Sequence, residues 1–190
     1  WWQKKMKFDL TAIAPFGVVH DGGSGEYHEA CVEGHLYAMN GIALLFPSDA
    51  REVVGMLNAA YEYPGPVVLF LQICAFGDSE FGALVPTEDF FVTPFGKATV
   101  KRSGKDVSVF AYGAAAVRAA MNEAEFLSRD TIDVEVVDIR SVWPLDISAL
   151  YASAKKTGRV IIMHEATERE GCGVHIKHEL DNAGATLFSR

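Results

Sequence analysis

Side chains that can bind protons or metals crowd into one stretch near the start of the chain. The potential ligands within residues 28–35 are His28, Glu29, Cys31, Glu33 and His35. Their spacing matches no standard zinc motif. His28 stands between a glycine-rich loop and a predicted helix, where an active-site acid or base is often found. A surface or helix-capping histidine is the alternative interpretation.

A second group of such side chains lies near the end of the chain. His164 and Glu165 directly follow the apolar run 160–163, which predicts a parallel strand, and open α/β sheets bind ligands at the carboxyl ends of such strands. Farther on, His175 and His178 share one helical face, for which solvation is the ordinary explanation and metal binding the other. The sequence has no Gly-x-Ser-x-Gly motif, which disfavours a hydrolase.

The loop at residues 22–25, Gly-Gly-Ser-Gly, follows a predicted strand and precedes a helix, where backbone amides could hold an anion. Its spacing fits neither the dinucleotide fingerprint nor the phosphate-binding P-loop. We therefore interpret this loop as a flexible turn, with phosphate binding as the alternative.

Alternating strands and helices must position these residues. Apolar runs at 42–46 and 67–71 flank a stretch with helical spacing, and Asp49 and Glu52 at its start are spaced as in a capping box. This order predicts a βαβ unit, preceded by a strand near residues 10–14. The pattern restarts with strands at 107–111, 134–137 and 160–163, alternating with helices near 114–128, 147–155 and 174–180.

Two α/β domains follow from this pattern, each doubly wound around a mainly parallel sheet. We place the first over residues 1–72 and the second over residues 98–190. Residues 73–97 lack either periodicity and hold several glycines and prolines, which indicates a connector or functional loop. The chain begins with Trp1 rather than Met, so we expect it to be a piece of a longer protein.

Composition excludes several classes of function. The chain of 190 residues carries a formal net charge of −8, which argues against nonspecific binding to nucleic acid or anionic lipid. No apolar run approaches the roughly 20 residues of a membrane-spanning helix, so we predict a soluble protein. Three cysteines are too few for a disulfide framework and favour a reducing compartment.

Short motifs in a fixed order carry a family resemblance over nearly the whole chain. They are Ala14-Pro15-Phe16-Gly17, Tyr27-His28, Phe46-Pro47-Ser48, Pro64-Gly65-Pro66-Val67, Pro94-Phe95-Gly96-Lys97, Val137-Asp138-Ile139-Arg140-Ser141, Lys156-Thr157-Gly158-Arg159 and His164-Glu165-Ala166. This series resembles the β subunit of thiamine-diphosphate-dependent 2-oxo acid dehydrogenases, of the pyruvate or branched-chain type. The matched part is the end of the pyrimidine-binding domain and the transketolase C-terminal-type domain, incomplete at its C-terminus.

The resemblance implies a role for His28 as the active-site histidine beside the substrate end of the cofactor. The family usually has His-Ser-Gln where this chain has His28-Glu29-Ala30, and a carboxylate at Glu29 would repel an anionic 2-oxo acid. The glutamate that protonates the cofactor lies upstream of position 1 in the family, and a separate α subunit or domain holds the diphosphate and magnesium. We therefore expect no cofactor-binding residues in this chain and no activity from it alone.

A structural potassium ion and several partners are also implied. Family members bind the ion largely through backbone oxygens, at positions that correspond here to Leu10, Thr11, Ala60, Tyr63 and Gly65. Tyr63 stands where the family has an acidic residue. The implied partners are an α-type subunit, a second β chain and the lipoyl acyltransferase core, in the bacterial cytoplasm or the mitochondrial matrix.

Three functions stay open at this point. The first is oxidative decarboxylation of a 2-oxo acid with acyl transfer to lipoyl. The second is another transketolase-type reaction, as in transketolase or deoxyxylulose-phosphate synthase, for which phosphate-binding basic residues are missing apart from Arg51 and Arg140. The third is a noncatalytic assembly domain of the same fold, for which Glu29 would be the trace of lost activity.

Overall fold

A computed structural model describes residues 9–17, 31–75, 81–82 and 90–184. The strands are β1 Thr11–Phe16, β2 Ala43–Leu45, β3 Val67–Gln72, β4 Thr99–Arg102, β5 Val107–Ala111, β6 Val134–Asp138, β7 Ser141–Trp143 and β8 Val160–Met163. The helices are α1 Glu33–Tyr37, α2 Ala50–Glu62, α3 Ala114–Leu127, α4 Ile147–Thr157 and α5 Gly173–Asn182. Within those ranges, no helix has both the length and the hydropathy needed to cross a membrane.

The first sheet has the strand order β1-β3-β2-β7. β1 and β2 both run parallel to β3, and α2 crosses over between β2 and β3. This is the βαβ unit that the sequence predicts. β7 pairs antiparallel with β2, so that Trp143 lies opposite Leu44. The sheet therefore recruits a strand from beyond the predicted connector.

The second sheet has the order β4-β6-β5-β8. β5 runs parallel to both β6 and β8, whereas β4 is antiparallel to β6. The prediction of two α/β layers with mainly parallel sheets is confirmed. β4 and β7 are missing from the sequence prediction because they are short strands whose existence depends on pairing with distant residues rather than on local pattern.

Aromatic side chains from both halves of the chain share one core. Phe46 stacks on Phe70 with ring centroids 4.7 Å apart and meets the edge of Tyr112 at 4.8 Å. Phe16 contacts Phe46 at 5.2 Å. The two sheets are thus joined by buried apolar surface, the main favourable term in folding. The domain boundary within residues 73–97 stays a prediction.

Local capping sets the start of α2. The Asp49 carboxylate accepts a hydrogen bond from the Glu52 amide at 2.8 Å, as the capping-box spacing predicts. The Glu52 carboxylate reaches back to the amide of Ser48, at 2.9 Å, and not to that of Asp49. The same carboxylate also faces the second sheet, where Lys101 Nζ lies 3.1 Å from Glu52 Oε1.

Phe91 and Thr93, in the described part of the predicted connector, pack on α2. The Thr93 amide donates to the Gly55 carbonyl at 2.9 Å, and the Asn58 amide side chain donates to the Phe91 carbonyl at 2.8 Å. A Cβ at Gly55 would lie 2.2 Å from Thr93 Oγ1. A glycine is therefore required at that position for the chain to pass so close.

Candidate functional site

The carboxyl ends of four parallel strands converge where the two sheets meet. Gly17 follows β1, Gln72 ends β3, Tyr112 follows β5 and His164 follows β8. Open α/β sheets bind ligands at such carboxyl ends. The convergence brings together polar side chains that are far apart in the sequence.

Gln72 ties three elements together. Its Nε2 donates to Glu165 Oε2. Its Oε1 accepts a hydrogen bond of 2.6 Å from the Ala115 amide, which lies in the first turn of α3 and therefore has no carbonyl partner within the helix. Gly113, just before that helix, has a φ of +84°, and a Cβ there would lie 3.1 Å from Gln72 Oε1. The amide side chain thus fixes the end of β3 against both Glu165 and α3.

A buried hydrogen-bond chain links α1 to the second sheet. The Tyr112 hydroxyl donates to Glu33 Oε1 at 3.0 Å and accepts the Cys172 amide at 3.0 Å. Glu33 is fully buried, and its Oε2 has no hydrogen-bond partner. Burial raises the pKa of Glu33 despite the Tyr112 hydrogen bond, which lowers it. The raised pKa favours the neutral acid, which burial penalises far less than the anion.

Replacing Tyr112 by Phe tests this chain. We expect the free energy of unfolding to fall by about 1–3 kcal/mol, because the Cys172 amide and the Glu33 carboxyl each lose a buried partner. Urea unfolding measures the change. The control is Tyr61→Phe, since Tyr61 is 89% exposed and its hydroxyl is available to water. Equal stability of the two variants would contradict the role assigned to the Tyr112 hydroxyl.

His164 occupies a narrow slot. Its ring stacks on Tyr112, with centroids 5.3 Å apart. A Cβ at Gly171 or at Gly173 would lie 2.3 Å or 2.5 Å from the imidazole. Burial lowers the pKa of His164, which favours the neutral ring. These two glycines are therefore needed to seat the histidine, a role that the sequence interpretation of a pliable loop does not include.

Two thiols of the site are poor nucleophiles. Burial, followed by the nearby Glu33 carboxyl, raises the pKa of Cys31 to about 12 and also raises that of Cys172. A thiol is reactive as the thiolate, so neither suits nucleophilic catalysis. The Gly17 backbone also hydrogen-bonds Cys31. Gly17 and Cys31, which flank residues 18–30, are therefore in contact.

The leading catalytic candidate, His28, and its neighbour Glu29 lie outside the described residues, as does the loop at 22–25. The structure shows only the two residues that flank this stretch, Gly17 and Cys31, which contact each other. The role of His28 stays a prediction. Cys31 and Glu33, which follow it in sequence, are buried with Tyr112, whereas Val32 between them is exposed.

Other sequence candidates separate in space. His175 stacks on Tyr37 with centroids 4.3 Å apart, whereas His178 contacts the exposed Asn182 side chain at 3.0 Å. The Glu170 carbonyl accepts the Gly34 amide at 3.0 Å. Among the residues that the structure describes, no group of three or more His, Cys, Asp or Glu side chains could hold a metal ion.

The five potassium candidates lie at the amino-terminal ends of β1 and β3 and at the end of α2, away from the carboxyl ends described above. The Leu10 carbonyl accepts the Val67 amide at 2.8 Å. The Ala60 carbonyl accepts the Tyr63 amide at 3.2 Å, and the Tyr63 carbonyl accepts the Gly65 amide at 2.9 Å. A carbonyl oxygen has two lone pairs, so each of these three carbonyls retains the capacity for a second interaction.

A cavity of about 350 Å³ lies between the N-terminal ends of α2 and α3. Gln72 and Asp49 contribute polar atoms to a wall that is otherwise mostly apolar, including Leu71 and Phe81. The described residues that line it include no Lys, Arg or His. Such a cavity suits an apolar group, and its described lining offers no cationic side chain to a diphosphate.

Sequence reasoning missed Gln72 and Tyr112 and interpreted Glu33 only as a potential metal ligand. Gln72 carried one usable signal, because it is the first polar residue after the apolar run 67–71 and therefore marks the carboxyl end of a strand. Tyr112 likewise directly follows a predicted strand, at residues 107–111, but nothing in the sequence indicates what it contacts. Its partners are 79 and 60 residues away, and only the fold brings them together.

Comparison with known proteins agrees with this architecture. Residues 96–187 match the family described as transketolase, C-terminal domain. The chain is 35% identical over 173 residues to the pyruvate dehydrogenase E1 component subunit beta of Staphylococcus aureus strain Mu50, covering 90% of this chain and 51% of that protein. The same subunit of Bacillus subtilis strain 168 is 35% identical over 175 residues, covering 91% and 51%.

A solved structure gives the same result for the fold. A split gene transketolase, described as an inactive beta4 tetramer, superposes with a TM-score of 0.75 at 26% identity, covering 93% of this chain and 55% of that one. The chain thus spans about half the length of the curated relatives it matches. The resemblance to the β subunit of the 2-oxo acid dehydrogenases is confirmed.

Proposed function

We propose that this chain, whose residues 96–187 match the transketolase C-terminal domain family, is about half of a pyruvate dehydrogenase E1 β-type subunit, and that it comprises the end of the pyrimidine-binding domain and much of the transketolase C-terminal-type domain. Its reaction is the oxidative decarboxylation of a 2-oxo acid with transfer of the acyl unit to lipoyl. The observation that carries the proposal is 35% identity sustained over 90% of the chain to relatives bearing that name.

Pyruvate is the substrate we propose, because it is the 2-oxo acid in the names of those relatives. Branched-chain 2-oxo acids belong in the same assay as competitors. If pyruvate is the substrate, its kcat/KM exceeds that of the branched-chain acids. The reverse order would move the proposal to the branched-chain type.

Thiamine diphosphate supplies the nucleophilic carbon and the electron sink of this chemistry when it is bound. The described residues fit a supporting role towards it. Among the described residues, no group of three or more His, Cys, Asp or Glu side chains could hold a metal ion, and the cavity between α2 and α3 is mostly apolar. From the family resemblance, we propose that the residues holding magnesium and the diphosphate belong to an α-type partner.

In this reaction, the chain itself donates a hydrogen bond or proton to the substrate and holds the donating side chain in position. His28 gives a hydrogen bond or proton where negative charge develops on the substrate oxygen. The Gly17–Cys31 contact and the Glu33–Tyr112 hydrogen bond hold the ends of the stretch that carries His28. Gln72 and Glu165 support the adjoining ends of β3 and β8.

Assembly with an α-type subunit, a second β chain and the acyltransferase core follows from the proposed function. β1 stands at the end of the first sheet in the described strand order, and its Ile13 and the preceding Leu10 are 57% and 52% exposed. An exposed apolar edge strand favours association. Light scattering tests this, because a monomer over a wide concentration range, with an α-type subunit present, would count against assembly.

The five residues with backbone oxygens near the end of α2 are proposed as a structural potassium site. The support is that the Leu10, Ala60 and Tyr63 carbonyls lie at one edge of the sheet, each with a lone pair to spare. Replacing potassium by sodium at equal ionic strength is then expected to lower the melting temperature. An unchanged melting temperature would contradict the proposed potassium site.

Binding of the cofactor tests the proposed function. An assembly of this chain, the upstream half of a β subunit and an α-type subunit is expected to bind thiamine diphosphate with magnesium in a calorimetric titration, whereas this chain alone does not. Tight binding by this chain alone would contradict the proposed division of the site.

A further inference from the structure

A second polar cluster joins the two halves of the molecule at the carboxyl ends of β2 and β6, the strands that pair with β3 and β5. It comprises Ser48, Asp49 and Glu52 at the start of α2, Lys101 on β4, Asp138 at the end of β6 and Arg140. Asp138 is fully buried and Glu52 is 3% exposed. We call these six residues the junction cluster.

The charges of the junction cluster do not balance if every carboxyl is ionised. Lys101 Nζ lies 3.1 Å from Glu52 Oε1, 3.4 Å from Asp49 Oδ2 and 3.5 Å from Asp138 Oδ2. The Arg140 guanidinium binds Glu52 Oε1 at 2.8 Å. Three carboxylates would then face two cations. Asp49 keeps contact with water, because 27% of its side chain is exposed, whereas Asp138 is fully enclosed, so an ionised Asp138 would be the costly buried charge.

Hydrogen counting at Ser48 identifies where a proton is needed. Ser48 Oγ lies 3.0 Å from Glu52 Oε2 and 2.6 Å from Asp138 Oδ2, yet a hydroxyl has one hydrogen to donate. If both carboxyls were ionised, one of these two contacts would bring two oxygen atoms together with no hydrogen between them. A proton on Asp138 Oδ2 satisfies both, with Asp138 donating to Ser48 and Ser48 donating to Glu52.

Glu52 is the carboxyl that keeps its charge. Its oxygens face Lys101, Arg140 and the Ser48 amide, and although burial opposes ionisation, these cations and this amide hold its pKa below the ordinary value. Asp138 has a weaker set of partners. Its Oδ1 accepts the Arg140 amide at 3.1 Å, and its only cation contact within 4.0 Å among the described residues is the 3.5 Å approach of Lys101.

We propose that Asp138 is protonated in the folded protein near neutral pH and that the junction cluster is a proton-sensitive latch between the two sheets. Losing the proton adds a third carboxylate against two cations. The latch weakens as a result, because the 2.6 Å contact with Ser48 loses its hydrogen.

The dependence on pH has a definite sign. Burial, and then the neighbouring Glu52, raise the pKa of Asp138 to about 7 from an ordinary value of 3.8. The unfolded chain therefore releases a proton that the folded chain keeps between about pH 4 and pH 7. The stability due to this proton is complete below about pH 4 and is lost as pH rises through about 7.

Asp138→Asn tests the proposal, because Asn presents an N–H donor to Ser48 and an oxygen to the Arg140 amide at every pH. Relative to wild type, we expect its melting temperature to rise by on the order of 4 °C between about pH 5.5 and pH 8.5. If Asp138 is instead an ionised partner of Lys101, the variant is less stable than wild type by the same amount at both pH values. That result would overturn the proposal.

Asp146→Asn is the matched control. Asp146 is also buried, but burial is outweighed there by hydrogen bonds from Ser148, Ala149 and Ala98, which lower its pKa. Its contribution to stability is present above its unfolded pKa and is lost only in acid. We expect this variant to be destabilised equally at about pH 5.5 and pH 8.5.

Carbon-13 NMR of the aspartate carboxyls decides the question even if Asp138→Asn fails to fold. In the wild-type chain, the Asp138 carboxyl carbon is expected to titrate with a midpoint above about pH 6. A midpoint below about pH 5 would show an ionised Asp138 in the folded protein and would end the proposal.

Discussion

Replacing His28 by Ala lowers decarboxylation turnover by about 10²–10⁴-fold, the usual contribution of a positioned acid or base. The enzyme for this measurement is assembled from this chain, the upstream half of a β subunit and an α-type subunit. The melting temperature is expected to stay nearly unchanged, because the resemblance implies that His28 lies beside the cofactor and not in the core. A capping histidine would give the opposite pair of results, with stability lost and turnover kept.

His178→Ala is the control for this change, because His178 is an exposed histidine whose described contact is to Asn182 on the same helix. Its replacement should alter neither turnover nor stability. Undiminished turnover of the His28→Ala enzyme would end the catalytic assignment of His28. The fold assignment stands independently of that result, since it depends on the two sheets and the shared core.

Glu29→Ser restores the residue that the family usually has after the histidine. We expect turnover of an anionic 2-oxo acid to be equal or higher in this variant, because a carboxylate facing the site would repel the substrate. Steady-state kinetics on pyruvate measure the change, with a raised kcat/KM as the sensitive readout. Lower turnover would indicate that Glu29 has a positive role in this chain.

Glu52→Ala is the substitution with the largest expected effect on stability. The single carboxylate of Glu52 contacts Lys101, Arg140 and the Ser48 amide. Removing one partner of a buried charge network costs about 3–5 kcal/mol. Urea unfolding measures the loss. Glu62→Ala, an exposed glutamate at the end of the same helix, is the control and should change stability by no more than about 0.5 kcal/mol. A loss below about 1 kcal/mol for Glu52→Ala would contradict the account of the junction cluster.

The sequence predicts those parts of the fold whose signals are local. β2, α2 and β3 follow from two apolar runs, helical spacing and the Asp49 cap, and the structure reproduces them within one or two residues. The second half repeats the same logic in β5, α3 and β6. Such elements are predictable because periodicity and capping act over a few residues.

The interactions that position the site are not predictable in this way. Gln72 and Glu165 are 93 residues apart, and Ser48 and Asp138 are 90 apart. A single sequence does not state which distant polar residues will be buried together, and β4 and β7 exist because their pairing partners are present. The order of the short motifs was enough to indicate the family resemblance. The Glu33–Tyr112 hydrogen-bond chain and the junction cluster became visible only in the three-dimensional structure.

The proposed function of this chain, in a 2-oxo acid dehydrogenase and not in another transketolase-type enzyme, can be tested by its products. The most direct measurement supplies the assembled enzyme with thiamine diphosphate, magnesium, pyruvate and a lipoylated acyltransferase domain. Release of carbon dioxide together with acylation of the lipoyl group is the result we expect. Transfer of a two-carbon ketol unit between sugar phosphates, with no pyruvate-dependent carbon dioxide and no acyl-lipoyl product, would contradict it.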